Sequence, residues 1–480
     1  MRSAALARPP VGETSGWLAR VGRATSVVAL AGCALSTPPS HEQVVKEALP
    51  ATTQIPPAWS DNPEAAGAVE GGWVKSFGDP GLEATVTEAI ANNLNLRQAA
   101  ASVEVARQTV VVVGAQLLPQ VGVKLGASYT ADDQPGSNFS SYQAYAGAAW
   151  EVDVWGRLRA QRAAAEAGYE ATALDYAFAR QSLAATTAKS WYLAVETREL
   201  LGLAGEYVRV YTDLLALVKV RRAAGKVADL DVAQASGALN AAKSELVAAQ
   251  GTYLEARRAL ELLLGRYPAA QIEVAQGFTT LPPPVQAGLP SALLNRRPDI
   301  VAAERQVLEA FRMREAAKLA LLPDFALTVT GGYLSDQLLS LLRLNPWLIG
   351  AGIGMSVPLY TGGALQAKVE IATARQSQAV ARYGSVALTS FGEVEAGLTN
   401  ERLFSERLGF DQKALGDRTE AVRIATMKYK AGSVDLLTVL VLQGDEISSR
   451  VKVVKLHGAQ RINRVNLHLA LGGDFASPPQ

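Results

Sequence analysis

The chain has 480 residues, 49% of them hydrophobic but only 6% aromatic and 19% charged, which is too long for one small domain and too apolar for disorder. Its 46 Lys and Arg nearly balance 45 Asp and Glu, and no basic run tracks a phosphate backbone, which argues against nucleic acid as a partner. One Cys and three His (His41, His457, His468) without ligand spacing exclude a disulfide framework and a multi-Cys zinc site, and no run of about 18 apolar residues offers a transmembrane helix.

Arg2, Arg8, Arg20 and Arg23 precede a short apolar segment that ends Leu30-Ala31-Gly32-Cys33. That string resembles a lipobox, the processing signal of bacterial lipoproteins, in which the thiol is lipidated (palmitate among its acyl chains) and cleavage leaves Cys33 first. A buried free cysteine in a disordered leader is the alternative. Ala34 follows the cysteine where an Asp resembles an inner-membrane retention signal, which favours export to the outer membrane. The polar, Pro-bearing stretch to Pro63 reads as an extended linker.

Two long blocks, residues 136–267 and 359–477, contain no proline. Proline costs about 3 kcal/mol inside a helix, so its absence from Ala-, Leu-, Glu- and Arg-rich blocks predicts long helices. Each block has one interruption, Ala223-Ala224-Gly225-Lys226-Val227 and Lys430-Ala431-Gly432-Ser433-Val434, which reads as a tight helix-to-helix turn. Arg157 to Ala223 and Gly363 to Lys430 would each extend about 100 Å at about 1.5 Å per residue. Helices of that length must pack side by side as a bundle or tube.

Ahead of each block the hydrophobic period switches to two. Val121, Val123, Leu125, Ala127 and Tyr129 alternate with Gly122, Lys124, Gly126 and Ser128, and the segment from Tyr142 to Val154 repeats the pattern after a turn over 131–138. A second pair runs from Phe325 to Tyr333 and from Trp347 to Leu359. Strands of about 9 to 11 residues with this alternation fit a membrane β-barrel, and a sandwich with one wet face gives the same alternation.

The order of elements occurs twice. Leu117-Leu118-Pro119-Gln120 before the first hairpin is echoed by Leu321-Leu322-Pro323-Asp324 before the second, and the Gly225 turn by Gly432. The chain is therefore read as an internal duplication. Four strands cannot close a barrel, because open edges in lipid leave backbone groups unpaired. Several copies must share one barrel.

The sequence Trp73-Val74-Lys75-Ser76-Phe77-Gly78-Asp79-Pro80, and then Gly288-Leu289-Pro290 through Arg296-Arg297-Pro298-Asp299-Ile300, closely resembles the TolC-like outer-membrane efflux proteins, in their lipoprotein branch. The resemblance covers about residues 60–472. It implies a mainly α fold with a small β part: long α-helical hairpins forming a periplasmic tunnel, and two β-hairpins giving four strands to a trimeric, twelve-stranded outer-membrane barrel. It also implies an outer-membrane channel of a Gram-negative bacterium. As a homotrimer without a cofactor, the channel would pass small molecules from an inner-membrane transporter of the resistance-nodulation-division (RND) type through a periplasmic adaptor protein. The alternative is the outer-membrane conduit of a type I protein secretion system.

Carried to positions, the resemblance makes Gly225, Lys226, Val227, Gly432, Ser433 and Val434 the adaptor-contact tips, though their glycines also suit a plain helix C-cap. Asp231 and Tyr429 stand at the periplasmic gate. Thr438, Val441 and Val434 occupy places that are often charged in relatives, with Asp435 and Asp445 as nearby acids. The expected organisation is a signal peptide over 1–32, a lipidated linker over 33–63, a first repeat over 64–280, a second over 281–472 and a tail over 473–480. No Walker, Rossmann or Gly-x-Ser-x-Gly loop is present, and Glu304, Glu393 and Glu395 lie on predicted helices, so an enzyme is not expected.

Overall fold

The computed structural model describes residues 35–61, 67, 69, 71–130, 139–335 and 348–475. Cys33, Trp347 and the turn over 131–138 lie outside them. The elements run α1 (His41–Ala48), α2 (Trp73–Ser76), α3 (Pro80–Asn92), α4 (Leu94–Ala115), β1 (Gln120–Thr130), β2 (Phe139–Val152), α5 (Arg157–Ala223) and α6 (Asp229–Leu263). Then follow α7 (Pro290–Arg296), α8 (Pro298–Leu319), β3 (Asp324–Ser335), β4 (Leu348–Ser356), α9 (Ala364–Ala431) and α10 (Leu436–Ala470).

The duplication is visible in lengths. Helices α4 and α8 each have 22 residues, α5 and α9 have 67 and 68, and α6 and α10 have 35 each. It is also visible in single bonds. Asn93, between α3 and α4, donates Nδ2–H to the Leu263 carbonyl at the end of α6, at 2.9 Å. Arg297, between α7 and α8, donates to the Ala470 carbonyl at the end of α10, at 3.3 Å. The same joint is thus made twice with different side chains.

The chain divides into two units: Met1–Ala48, Glu104–Glu170 and Glu304–Ala381 form one, and Leu49–Val103, Ala171–Ala303 and Arg382–Gln480 the other. The first unit holds a four-stranded antiparallel sheet in the order β1-β2-β3-β4. Its register places Val123 opposite Ala146, Leu327 opposite both Trp150 and Ile353, and Val329 opposite both Ala148 and Ala351. Every apolar position of the alternation therefore falls on one face. Gly122, Lys124 and Gly126, with Gln143, Tyr145, Gly147, Thr328, Thr330, Gly350, Gly352 and Gly354, fall on the other. Among the described residues, the outer strands β1 and β4 pair on one side only.

Two strand ends differ from expectation. β2 stops at Val152, before the expected Val154, because Asp153 turns to cap α5: its carboxylate accepts the N–H groups of Leu158 and Arg159 at 3.0 and 2.9 Å. β4 stops at Ser356, two residues short of Pro358, which has no N–H for a ladder. The segment expected to be an extended linker contains α1. Ser40 caps it reciprocally with Gln43: the Ser40 hydroxyl accepts the Gln43 N–H at 3.3 Å, and Gln43 Oε1 accepts the Ser40 N–H at 2.9 Å.

The second unit holds the principal core, in which Phe77, Leu82, Val86, Trp191, Tyr192, Leu260 and Val465 pack together. Asp79 caps α3 through the N–H groups of Gly81 and Leu82 and accepts Trp191 Nε1–H at 2.8 Å. The Gly-Leu-Pro to Arg-Arg-Pro-Asp string is a joint in this unit. Pro290 and Pro298 open α7 and α8, and buried Arg297 between them reaches Asp299 at 2.9 Å and Glu393 at 2.5 Å over the ring of Phe178. Glu395 accepts the Ser60 N–H at 3.1 Å, so Glu393 and Glu395 are both partnered.

Candidate functional site

The two turns between long helices are built alike. After α5, the Gly225 N–H reaches the Arg222 carbonyl and the Lys226 N–H reaches the Arg221 carbonyl, each at 2.9 Å. After α9, Gly432 bonds to Tyr429 and Ser433 to Lys428, each at 3.0 Å. This pairing of bonds is a Schellman closure, and it needs a left-handed residue at its centre. Gly225 at φ 72° and Gly432 at φ 83° supply it, since a Cβ there is strained. The sequence alternative, glycine as a helix C-cap, therefore holds as geometry. Gly225, Lys226, Gly432 and Ser433 are exposed, whereas Val227 and Val434 are half-buried.

The next helices start with opposite halves of one capping box. At α6 the Asp231 carboxylate reaches back to the N–H of Ala228, at 3.0 Å, and Ala228 has no side chain that can answer. At α10 the cap residue is Asp435, whose carboxylate accepts the N–H of Thr438 at 2.8 Å. The Thr438 side chain bonds to that same carboxylate. Each tip thus satisfies one orphan donor through one carboxylate.

Behind the turns, Tyr207, Tyr211, Leu214, Val218, Leu239, Leu436 and Val439 form a buried cluster around Tyr429. Tyr429 is 2% exposed. The Arg221 guanidinium lies over its ring, 4.5 Å from the centroid, and also donates to the Tyr429 backbone carbonyl. The Tyr429 hydroxyl is buried without a hydrogen-bond partner among the described residues. Burial raises the phenol above its ordinary pKa, Arg221 opposes the rise and Asp231 adds to it. Asp231 and Tyr429 are therefore electrostatic neighbours, but no direct bond joins them. Arg222 and Asp229 close the first turn on its exposed side at 2.7 Å. Arg221 went unnoticed in the sequence: a cation in the last turn of a helix is ordinary, and nothing in its spacing points to a residue on another helix.

Residues 85–266 and 289–473 match the family model described as outer membrane efflux protein. The chain belongs to that family. The two matched stretches fall one on each structural repeat. Among relatives, the pyoverdine export outer membrane protein OpmQ of Pseudomonas aeruginosa is 31% identical over 421 residues, covering 85% of this chain and 88% of that protein. The cation efflux system protein CusC of Escherichia coli K12 is 28% identical over 452 residues, covering 93% and 97%. A crystal structure of CusC matches with a TM-score of 0.80 at 26% identity, over 92% of this chain and 100% of that one. The open state of the Neisseria gonorrhoeae MtrE outer membrane channel matches with a TM-score of 0.81 at 25% identity, over 93% and 100%.

As an outer membrane efflux protein the chain is a conduit and not an enzyme. Its chemistry lies in walls and closures. No described helix is long and apolar enough to cross a membrane.

Proposed function

We propose that three copies of this chain assemble into one outer-membrane channel, each giving its four strands to a twelve-stranded barrel. The channel is the outer component of a tripartite efflux system and receives small molecules from an RND-type transporter through a periplasmic adaptor. One observation carries this reading: a four-stranded sheet with one apolar face, one polar face and a free edge on both β1 and β4. In hydrocarbon an unpaired backbone group costs several kcal/mol, and only closure removes every edge. With β4 of one copy beside β1 of the next, the apolar face meets lipid and the glycine-rich face lines a lumen.

The lipobox supports an anchor at Cys33 beside the barrel. The exposed tips at Gly225, Lys226, Gly432 and Ser433, with Val227 and Val434 behind them, are the surface offered to the adaptor. Asp231 and Tyr429 belong to the closure just inside. The names of the relatives refer to cargoes as different as pyoverdine and cations, which supports a conduit whose cargo is selected upstream.

The test is chemical cross-linking and mass measurement of the protein extracted from outer membranes. A detergent-stable species of three chains, palmitoylated at Cys33 and conducting in a planar bilayer, is the expected result. A single-chain, water-soluble species overturns the reading.

A further inference from the structure

Among the described residues of β1 to β4, three side chains carry charge: Lys124, Glu151 and Asp324. The register puts all three on the glycine-rich face. Glu151 is neutralised by Arg157 at 2.5 Å. Asp324 stands at the first residue of β3, opposite Ser356 near the end of β4. Lys124 sits well inside β1, in the row Lys124, Tyr145, Gly332, Leu348.

That row isolates the lysine. A Cβ at Gly332 would strike the Tyr145 ring, so the tyrosine leans over the glycine on β3, away from its other neighbour β1. Lys124 is exposed, and its neighbours on the same face of β1 are Gly122 and Gly126. Among the described residues, no carboxylate stands in the row of Lys124. Asp324 lies eight residues down β3 from the row, about 27 Å at about 3.4 Å per residue, well beyond a screening length of about 10 Å at 0.1 M salt. The nearest unpaired carboxylate of the strands therefore does not cancel the charge.

We propose that Lys124 is a specificity-determining residue of the conduit: in the closed barrel its three copies form a ring of fixed positive charge that favours anionic over cationic solutes at the outer-membrane level. This rests on the barrel reading above, which turns the glycine-rich face into the lumen. Most side chains on that wall are absent or small, so the ring acts on solutes as a field and not as a plug. A field of this kind weakens as salt shortens the screening length.

The experiment uses the full-length, lipidated trimer in planar phosphatidylcholine bilayers under a KCl gradient. It compares wild type with K124R, K124A and K124E, at low and high mean salt, and adds block by tripolyphosphate as a second readout. K124R is expected to match wild type. K124A should lower the chloride-to-potassium permeability ratio about threefold at low salt, K124E further, with the differences shrinking at high salt. Tripolyphosphate block should weaken in the same order. A graded change in either readout supports the ring. Equal ratios and equal block in all four proteins overturn it, as does an equal change in K124R, K124A and K124E, which reports packing and not charge. Failure of wild type to form a conducting trimer overturns the barrel reading instead, so the two failures are distinct.

Discussion

Arg221 holds Tyr429 twice, by its guanidinium over the ring at 4.5 Å and by a bond to the backbone carbonyl. The contact ties the last turn of α5 to the last turn of α9. Because the Tyr429 hydroxyl has no partner among the described residues, the ring and the carbonyl carry the contact and the phenol O–H adds nothing to it. Y429F should therefore keep the channel closed and change stability by less than about 1 kcal/mol. Y429A removes a buried ring, and a cost of about 3 to 5 kcal/mol is typical of such truncations. It should raise leak current in bilayer recordings, and R221A should do so as well. A leak in Y429F equal to that in Y429A would place the closure in the hydroxyl and refute this account.

The half capping boxes give a second expectation. D231A leaves the Ala228 N–H without its acceptor and should cost about 1 kcal/mol, seen as faster hydrogen exchange at that amide and as increased leak. D231N keeps an acceptor oxygen and should remain close to wild type. D435A should speed exchange at Thr438 and leave Ala228 unchanged. Hydrogen bonding to Thr438 holds the Asp435 carboxyl below its usual range, so this cap is present at neutral pH and is lost as pH falls through the lowered folded-state value. Uniform exchange at both amides in all three variants would show that the carboxylates do not cap.

His468 makes the second unit acid-sensitive. Its ring stacks on Trp73 at 5.5 Å, and burial, reinforced by the charge of Arg464, pulls the imidazole down to about 3 from 6.5. The unfolded chain takes up a proton near pH 6.5 and the folded one does not, so the unfolded state binds more protons between those values. Stability then falls as pH drops, by up to about 1.4 kcal/mol per pH unit across that window, and is unaffected by this group above it. Unfolding midpoints measured from pH 7 to pH 4 should show the slope in wild type and a shallower one in H468F. Parallel curves would rule out His468 as the source.

The two faces of the sheet predict opposite tolerance. Val123 and Ile353, 74% and 80% exposed in the single chain, lie on the apolar face, and an Arg at either should cost about 2 to 4 kcal/mol near the bilayer midplane. S128R, on the glycine-rich face, should assemble normally. Trimer yield from outer membranes reads the difference, and equal loss in all three would refute the assignment of faces.

Much of this architecture is readable from residue types, because the signals are local. Proline exclusion marks α5 from Arg157 to Ala223 and α9 to within a residue at either end. Period-two alternation puts Val121 to Tyr129, Tyr142 to Val152 and Phe325 to Thr330 on the faces that the register gives them, while Leu334 and Leu348 fall on the glycine-rich face against their apolar character. The unread parts are of two kinds. Helix α1 escaped because its signal is a single Ser40-to-Gln43 box inside a Pro-bearing stretch, where composition argues for coil. Arg221 on Tyr429 and Arg297 on Glu393 escaped because each joins helices far apart in sequence, and a lone arginine carries no mark of the carbonyl or ring it will meet. For the two residues proposed for the gate, Asp231 and Tyr429, the residue types gave no sign of the bonds that fix them, which run to Ala228 and Arg221.

The unequal caps at the two tips carry a consequence for any docking partner. In the proposed three-copy assembly, two tips per chain would present six endings of nearly the same backbone, yet the cap residue is Asp435 at one kind and Ala228 at the other. The carboxylate therefore sits at the cap position of one kind of tip and three residues inside the helix at the other, and a ligand of sixfold symmetry would meet two different arrangements in strict rotation.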